Sequence, residues 1–469
     1  MAARYLPITT FRHPALSLWQ SALHQAITRR TAAAMAAGPA AAGLAATRDD
    51  PRMVATLGAV RGFVTGTPPS AALVASDIAT CAGLYVKLAL AKFKARFTGD
   101  QSEVTYLENQ ISFSVCDPLW AEALVDYGEF LALGGTIPYV NYPPGEIGSF
   151  AVLDTLPDKP AVTVALLADW GTGMEDARAL LTQVKAKNPD VVIHLGDIYY
   201  AGTPGEVQSN FLAVFGSVFG APGAPGVPPL YTLSGNHDMY AGGAGYYGML
   251  PSLGQQASYF CLRNADWQLL AMDTGLNDRD PFTVLTNLTY LNPPEVPWQQ
   301  DKLVNAAGRK TILLSHHQLF SAFDSVGQDV DGRSLAWNPN LQAAFTRGGQ
   351  SLLPQVAYWF WGHEHNLEVY QPYVGLARGR CIGAGAIPML AADNPYTPAQ
   401  GNILPPGESA LPQLIPNTML ANDGTVYDHC YAIVALAGKA ATVTYYQDQV
   451  VIDSQGGLSL NESLVYTES

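Results

Sequence analysis

The stretch AVTVALLADWGTGMEDARALLTQVKAKNPDVVIHLGDIYY, residues 161–200, decides how this chain is read. AVTVALLADWG is a Val-rich apolar run that reads as a buried strand ending in a turn. MEDARALLTQVKAKNPD reads as a helix, and VVIHLGD as a second buried strand. Strand, helix and strand in succession point to a layered α/β fold. Downstream, PLYTLSG (229–235), WQLLAMDTG (267–275), TILLSHH (311–317) and AYWFWGH (357–363) are further short apolar strands. YAIVALAGKAATVTYYQDQVVID, residues 431–453, reads as closing hairpin strands of the same domain. GAPGAPGVPP, residues 220–229, reads as a surface loop.

Upstream the texture changes. NYPPGEIGSFAVLDTLPDKP, residues 141–160, is rich in Pro, Gly and Asp and is the expected domain boundary. Residues 1–140 read as mostly helical, most clearly SAALVASDIATCAGLYVKLALAKFKARF at 70–97, whose basic residues near the end suit the helix dipole. The expectation is therefore a mostly helical N-terminal domain over 1–150 with no catalytic motif, followed by an α/β domain over 151–469.

Composition narrows the function classes. The chain has 469 residues, enough for two domains and a sizeable core, and a formal net charge of −14. An acidic surface repels nucleic-acid phosphates, so broad nucleic-acid binding is not expected. An anionic substrate requires bound cations to reverse the local field. The five cysteines, Cys81, Cys116, Cys261, Cys381 and Cys430, are scattered and odd in number. They form neither a disulfide framework nor a zinc ribbon, and they fit a reducing, cytoplasmic setting. RRTAAAMAAGPAAAGLAA, residues 29–46, has the twin arginines of an export signal but lacks its strongly apolar core. It is interrupted by Gly38 and Pro39, and no transmembrane segment is expected. Oligomeric state is not legible.

The chemistry lies where polar residues fall. Five apolar strands end in metal-ligand residue types: Asp169 in ADWG; Asp197 and Tyr200 in GDIYY; Asn236, His237 and Asp238 in GNHD; His316 and His317 in SHHQ; His363 and His365 in GHEH. A lone strand-terminal Asp is as readily a turn cap, and a lone His a structural residue. Five such motifs in order are different, because ligands of open α/β sheets gather at the carboxyl ends of strands. Carboxylates can bridge cations, Asn supplies a neutral oxygen, imidazoles bind divalent metals, and phenolate suits ferric iron.

The order D…GDxxY…GNHD…H…GHxH resembles the calcineurin-like metallophosphoesterase superfamily over about residues 161–450. That resemblance implies a layered β-sandwich flanked by helices. Where many members carry DxH in the first motif, this chain has Gly171, and Tyr200 completes GDxxY. The combination is similar to the purple acid phosphatase branch. The implied first metal, iron, takes Asp169, Asp197, Tyr200 and His365. The implied second metal, iron, zinc or manganese, takes Asp197, Asn236, His316 and His363. Asp197 bridges. His237 would assist the phosphoryl oxygen or leaving group, and Asp238 would orient it. The implied reaction is hydrolysis of a small phosphorylated substrate by a metal-bound hydroxide, with phosphomonoesters favoured and a phosphodiesterase on the same site as the alternative. A metal-binding module without turnover is the less favoured third reading. The further substrate-facing histidine of the plant enzymes has no counterpart here, where position 326 is Val.

Other residues take plainer readings. His363 and His365, two apart in extended chain, face the same way, with Glu364 turned aside and Gly362 allowing a close backbone approach. Glu368 is a candidate partner of His365. His317 is read as a neighbour of the ligands, His194 as structural, and Asp273 as a turn cap. His13, His24 and His429 have no partner in the sequence. AGGAGYYG, residues 241–248, reads as a rim loop without the GK[ST] of a phosphate-binding loop.

Overall fold

Side-chain alternation along the strands builds two layers. The computed structural model describes residues 136–142, 150–152 and 161–452 (apart from 281, 282, 285, 388, 390, 392, 393, 423 and 425), residues 458–469, and the isolated positions 91, 94, 99 and 130. The expected helices of the N-terminal domain, including most of 70–97, lie outside the described residues, as do Cys81, Cys116, His13 and His24.

The opening stretch forms β1 (Val162–Leu167), α1 (Glu175–Ala186) and β2 (Val191–His194). These are followed by β3 (Leu230–Thr232), β4 (Phe260–Arg263), β5 (Trp267–Ala271), α2 (Glu295–Val304), β6 (Lys310–Leu314) and β7 (Val356–Trp361). Then come β8 (Leu367–Val369), β9 (Gly379–Ile382), β10 (His429–Ala437), β11 (Ala440–Ile452) and β12 (Leu458–Glu468). One six-stranded sheet runs β12-β11-β10-β1-β2-β3. A seven-stranded sheet begins with the two-residue strand Ala151–Val152 and continues β4-β5-β6-β7-β9-β8. Strands β1, β2 and β3 are mutually parallel, as are β5, β6, β7 and β9. The closing hairpin pairs β10 with β11 antiparallel and sets β10 antiparallel against β1.

The period of two assigns each side chain to a layer. Val164 and Leu166 of β1, Leu269 and Ala271 of β5, Ile312 and Leu314 of β6, Phe360 of β7 and Val434 of β10 meet in one buried core between the sheets. Their neighbours Leu270, Leu313, Trp359 and Trp361 point to the opposite face of the seven-stranded sheet, where Trp298 and Leu303 of α2 cover them. A register shift between Val356 and Tyr358 sets the phase that sends Phe360 inward and both tryptophans outward. Burial of each such large apolar side chain contributes roughly 1.5–3 kcal/mol. Helix α1 has Glu175 and Asp176 in its first turn and Lys185 in its last, favourable at both ends of its dipole, and buries Ala177, Leu180, Leu181 and Val184. The result is the helix-flanked β-sandwich expected from the sequence.

The chain divides into two units, Met1–Ile137 with Tyr240–Gly242 and Val451–Ser459, and Pro138–Met239 with Gly243–Val450 and Leu460–Ser469. The second holds every residue of the site described next. Cys261, Cys381 and Cys430 are buried and not disulfide-bonded. No helix among the described residues is long and apolar enough to cross a membrane.

Candidate metal centre

The polar ends of five strands converge. Asp169 follows β1, Asp197 follows β2 and Asn236 follows β3, all from the six-stranded sheet. His316 follows β6, and His363 and His365 follow β7, all from the seven-stranded sheet. Asp169, Asp197, Asn236 and His316 are buried, and His363 and His365 are half-buried.

Two overlapping groups of contacts result. In one, His316 Nε2 lies 3.1 Å from Asn236 Oδ1 and 3.3 Å from Asp197 Oδ2, and His363 Nδ1 lies 3.0 Å from the same Asn236 oxygen. In the other, His365 Nε2 is 3.6 Å from Asp169 Oδ1. Ligand atoms of Asp169, Asp197 and His316 all lie within 4.8 Å of one another, as do those of His316, His317 and His363. His316 is oriented through its other ring nitrogen, 3.0 Å from the Leu195 carbonyl. An outer hydrogen bond of this kind fixes tautomer and ring plane in metal-binding histidines.

The tyrosine differs from the sequence expectation. The hydroxyl that enters the cluster belongs to Tyr199: it donates to Asp169 Oδ1 at 2.9 Å and Asp197 Oδ2 at 3.2 Å, and stands 3.0 Å from His365 Nε2. Ile198 forms a parallel bridge with Gly171, and the Tyr199 N–H donates to the Gly171 carbonyl, which fixes Tyr199 against the first motif after the left-handed turn at Asp197. Tyr200 instead contributes main-chain contacts: its N–H donates to Glu206 Oε1 at 2.6 Å, and its carbonyl lies 2.6 Å from His237 Nδ1.

The other expected roles also shift in detail. Asp238 does not orient His237 through a hydrogen bond. Its Oδ2 accepts from the backbone N–H of Asp197 at 2.9 Å and Gly235 at 2.7 Å, tying two motif loops together. The His237 ring is held by the Tyr200 carbonyl, and its backbone N–H donates to Asp197 Oδ1 at 3.0 Å. Glu368 bonds Tyr370 and Asn366, while Glu364 accepts from Ser321 Oγ at 2.8 Å, away from the cluster. His317 has Thr274 Oγ1 3.0 Å from Nδ1 and Asp278 Oδ2 3.0 Å from Nε2. Asp273 caps its turn by accepting from the Leu276 N–H at 3.0 Å and also holds Ser234, two residues before Asn236. His194 lies in the sheet with Nδ1 3.1 Å from Thr232 Oγ1, and His429 lies 3.6 Å from Asp176.

Close approach makes several positions glycine. A Cβ on Gly362 would stand 2.6 Å from Asp169 Oδ2, and one on Gly171 would stand 2.7 Å from the Asp197 carbonyl oxygen. In this geometry a side chain at position 171 would collide with the backbone of Asp197 and Ile198. The loop GAGA, residues 383–386, was not singled out by sequence, yet Gly383 and Gly385 press on Glu364 and Ala168 backbone beside Asp169. Asp169 (φ 57°), Asp197 (φ 74°) and His363 (φ 67°) occupy the left-handed region. Non-glycine residues held so cost of order 1–3 kcal/mol each and cluster at functional sites.

Electrostatics follow from the crowding. Burial opposes ionisation of Asp197, but the His316 and His237 imidazoles outweigh it and hold its carboxyl well below the usual range. Burial lowers His316 too, but Asp197 wins and raises it to about 9. Burial pushes His363 and His317 well below and lowers His237. Burial and then Asp169 raise the Tyr199 phenol well above its ordinary value. Burial and then Asp197 raise Asp238. Two carboxylates, an amide oxygen, a phenol and three imidazoles, concentrated in a buried pocket, form a donor set that fits hard-to-borderline cations such as iron, zinc or manganese.

Comparison with known proteins gives partial matches. Residues 162–367 match the calcineurin-like phosphoesterase family. Tartrate-resistant acid phosphatase type 5 from Sus scrofa is 31% identical over 106 residues, covering 20% of this chain and 31% of that protein, so the chain matches about a third of the relative's length. Among solved structures, PhoD aligns with TM-score 0.42 and 12% identity over 66% of this chain and 69% of its own. GAP50, the anchor in the inner membrane complex of Plasmodium, aligns with TM-score 0.39 and 14% identity over 66% and 88%.

Proposed function

We propose, from the match of residues 162–367 to the calcineurin-like phosphoesterase family, that the chain is a dinuclear metal-dependent phosphomonoesterase. The observation that supports this best is the convergence of Asp169, Asp197, Tyr199, Asn236, His316, His363 and His365 from the ends of two sheets onto one half-open cluster. One cation would be held by Asp169, Asp197, Tyr199 and His365, and the other by Asp197, Asn236, His316 and His363. Iron suits the first because phenolate is a hard donor, and iron, zinc or manganese suits the second. Such a pair lowers the pKa of a bound water and neutralises charge on a phosphoryl group.

The protein's own groups do the rest. Asp197 spans the two halves of the cluster, and its conformation is held by the Asp238 carboxylate on its N–H. His237 is anchored through Nδ1 on the Tyr200 carbonyl. In the imidazolium form, Nε2 would then carry the proton that bonds a phosphoryl oxygen or passes to the departing alcohol. The half-buried rims of His363 and His365 mark the side from which substrate enters. A monoester substrate is favoured by the similarity to tartrate-resistant acid phosphatase type 5.

Paired assays with an aryl phosphomonoester and the matching diester, on protein reconstituted with iron plus zinc or manganese, test the reading. Faster monoester turnover supports it. Faster diester turnover replaces it with a phosphodiesterase on the same site, and metal-loaded protein that turns over neither moves weight to a binding module.

A further inference from the structure

We infer that Asp278 and Thr274 hold His317 back from the second cation position, and that this restraint sets which metal the position prefers. The inference rests on the dinuclear reading above and goes beyond it, because the resemblance assigns these two residues no role.

Three imidazoles crowd one place. Ligand atoms of His316, His317 and His363 lie within 4.8 Å of one another. The His317 ring centroid is 4.5 Å from that of His363 and 4.9 Å from that of His316. Left to themselves, three neutral imidazoles at this spacing form a site for a borderline cation such as zinc. His317 is engaged otherwise. Thr274 Oγ1 accepts from the His317 backbone N–H at 3.1 Å and lies 3.0 Å from Nδ1. The Asp278 carboxylate accepts, which puts the ring proton on Nε2 and leaves Nδ1 to accept from the Thr274 hydroxyl. Nε2 lies 3.0 Å from Asp278 Oδ2, an acceptor with a lone pair matched to that N–H.

The restraint is built rather than incidental. Asp278 is 2% exposed, and its second oxygen accepts from Asn287 Nδ2 at 2.8 Å. Thr274 is fully buried, and its carbonyl accepts from the Thr289 hydroxyl. The His317 carbonyl accepts from Ser315 Oγ at 2.7 Å, and Trp359 Nε1 donates to the same hydroxyl at 2.8 Å. Both ring nitrogens and the main chain of His317 are thus committed to the protein. The second position keeps two imidazoles with the oxygens of Asn236 and Asp197, a mixed set that serves oxygen-preferring manganese or iron as well as zinc.

The test is metal competition on the full-length chain. Metal-free protein is equilibrated with zinc and manganese together, washed, and the bound ions counted by elemental analysis. Asp278→Ala frees Nε2 and should shift the bound zinc-to-manganese ratio toward zinc by about tenfold or more, the scale of effects from outer hydrogen-bond partners. Thr274→Val frees Nδ1 with little change of shape and should move the ratio the same way. Asp278→Asn keeps an acceptor oxygen and should keep the wild-type ratio. Asp278→Ala combined with His317→Ala should return to it, because the third imidazole is gone. Cobalt-loaded Asp278→Ala should also show a visible spectrum changed from wild type. If wild type binds both ions and the ratio is the same in Asp278→Ala and Thr274→Val, the restraint is refuted while the metal centre stands. Wild type that binds neither ion overturns the centre and the inference together.

Discussion

The two sheets contribute chemically different halves of the proposed centre. The six-stranded sheet supplies oxygen: Asp169, Asp197, Asn236 and the Tyr199 hydroxyl. The seven-stranded sheet supplies nitrogen: His316, His363 and His365. The oxygen half is shaped by the backbone, with Asp169 and Asp197 in the left-handed region and Asp238 gripping two N–H groups. The imidazole half is shaped more by side chains, with His316 on the Leu195 carbonyl and its neighbour His317 between Thr274 and Asp278. A short carboxylate is placed by where its backbone goes, whereas an imidazole is aimed by what its second nitrogen touches.

This contrast can be broken by substitution. Asp197→Ala removes the carboxylate proposed to serve both cations and should lower phosphomonoester turnover by about a thousandfold or more, in line with loss of a metal clamp; retention of a tenth of the wild-type rate refutes the shared role. His237→Ala should keep bound metal and lower the rate by about 10²–10⁴, the range for lost proton transfer. Loss of metal in that variant makes His237 a ligand and places it in the wrong role here. Gly362→Ala tests the backbone half, since its Cβ would press on Asp169 Oδ2. It should weaken metal retention and lower stability by about 1–3 kcal/mol, measured by denaturant unfolding.

Tyr199→Phe and Tyr200→Phe separate the geometry from the motif spacing. The first should alter the visible absorption of iron-loaded protein and lower its rate modestly; the second should leave the absorption in place. The reverse pattern restores Tyr200 to the role that GDxxY implies. The smallest effect is expected at Glu368→Gln. Burial raises both Glu364 and Glu368 above the ordinary carboxyl range, and Glu368 accepts from the Tyr370 hydroxyl at 2.7 Å. A neutral amide at Glu368 keeps an acceptor oxygen for that hydroxyl and should therefore cost less than about 1 kcal/mol in unfolding free energy.

Much of this was legible before the structure. The apolar runs around Leu166, Ile193, Leu313 and Phe360 announce strands, and the Asp, Asn and His that follow them mark the edge where the centre forms. Strand β4 was not read, because FCLR is short and lacks a polar signature. The Tyr199 placement was missed because motif spacing counts residues, whereas the left-handed turn at Asp197 and the bridge between Gly171 and Ile198 decide which hydroxyl reaches the cluster. Asp238, Thr274 and Asp278 were misjudged or missed for a related reason. Their partners, Asp197 for the first and His317 for the other two, lie 39 to 43 residues away along the chain, and no local pattern records such contacts.

The most direct measurement is the number of metal ions per chain in wild type and in Asp197→Ala, by elemental analysis after reconstitution with iron and zinc. Two ions in the wild type and fewer than one in the variant is the result predicted by a centre shared through Asp197. Two ions retained in Asp197→Ala, or none bound by the wild type, contradicts it.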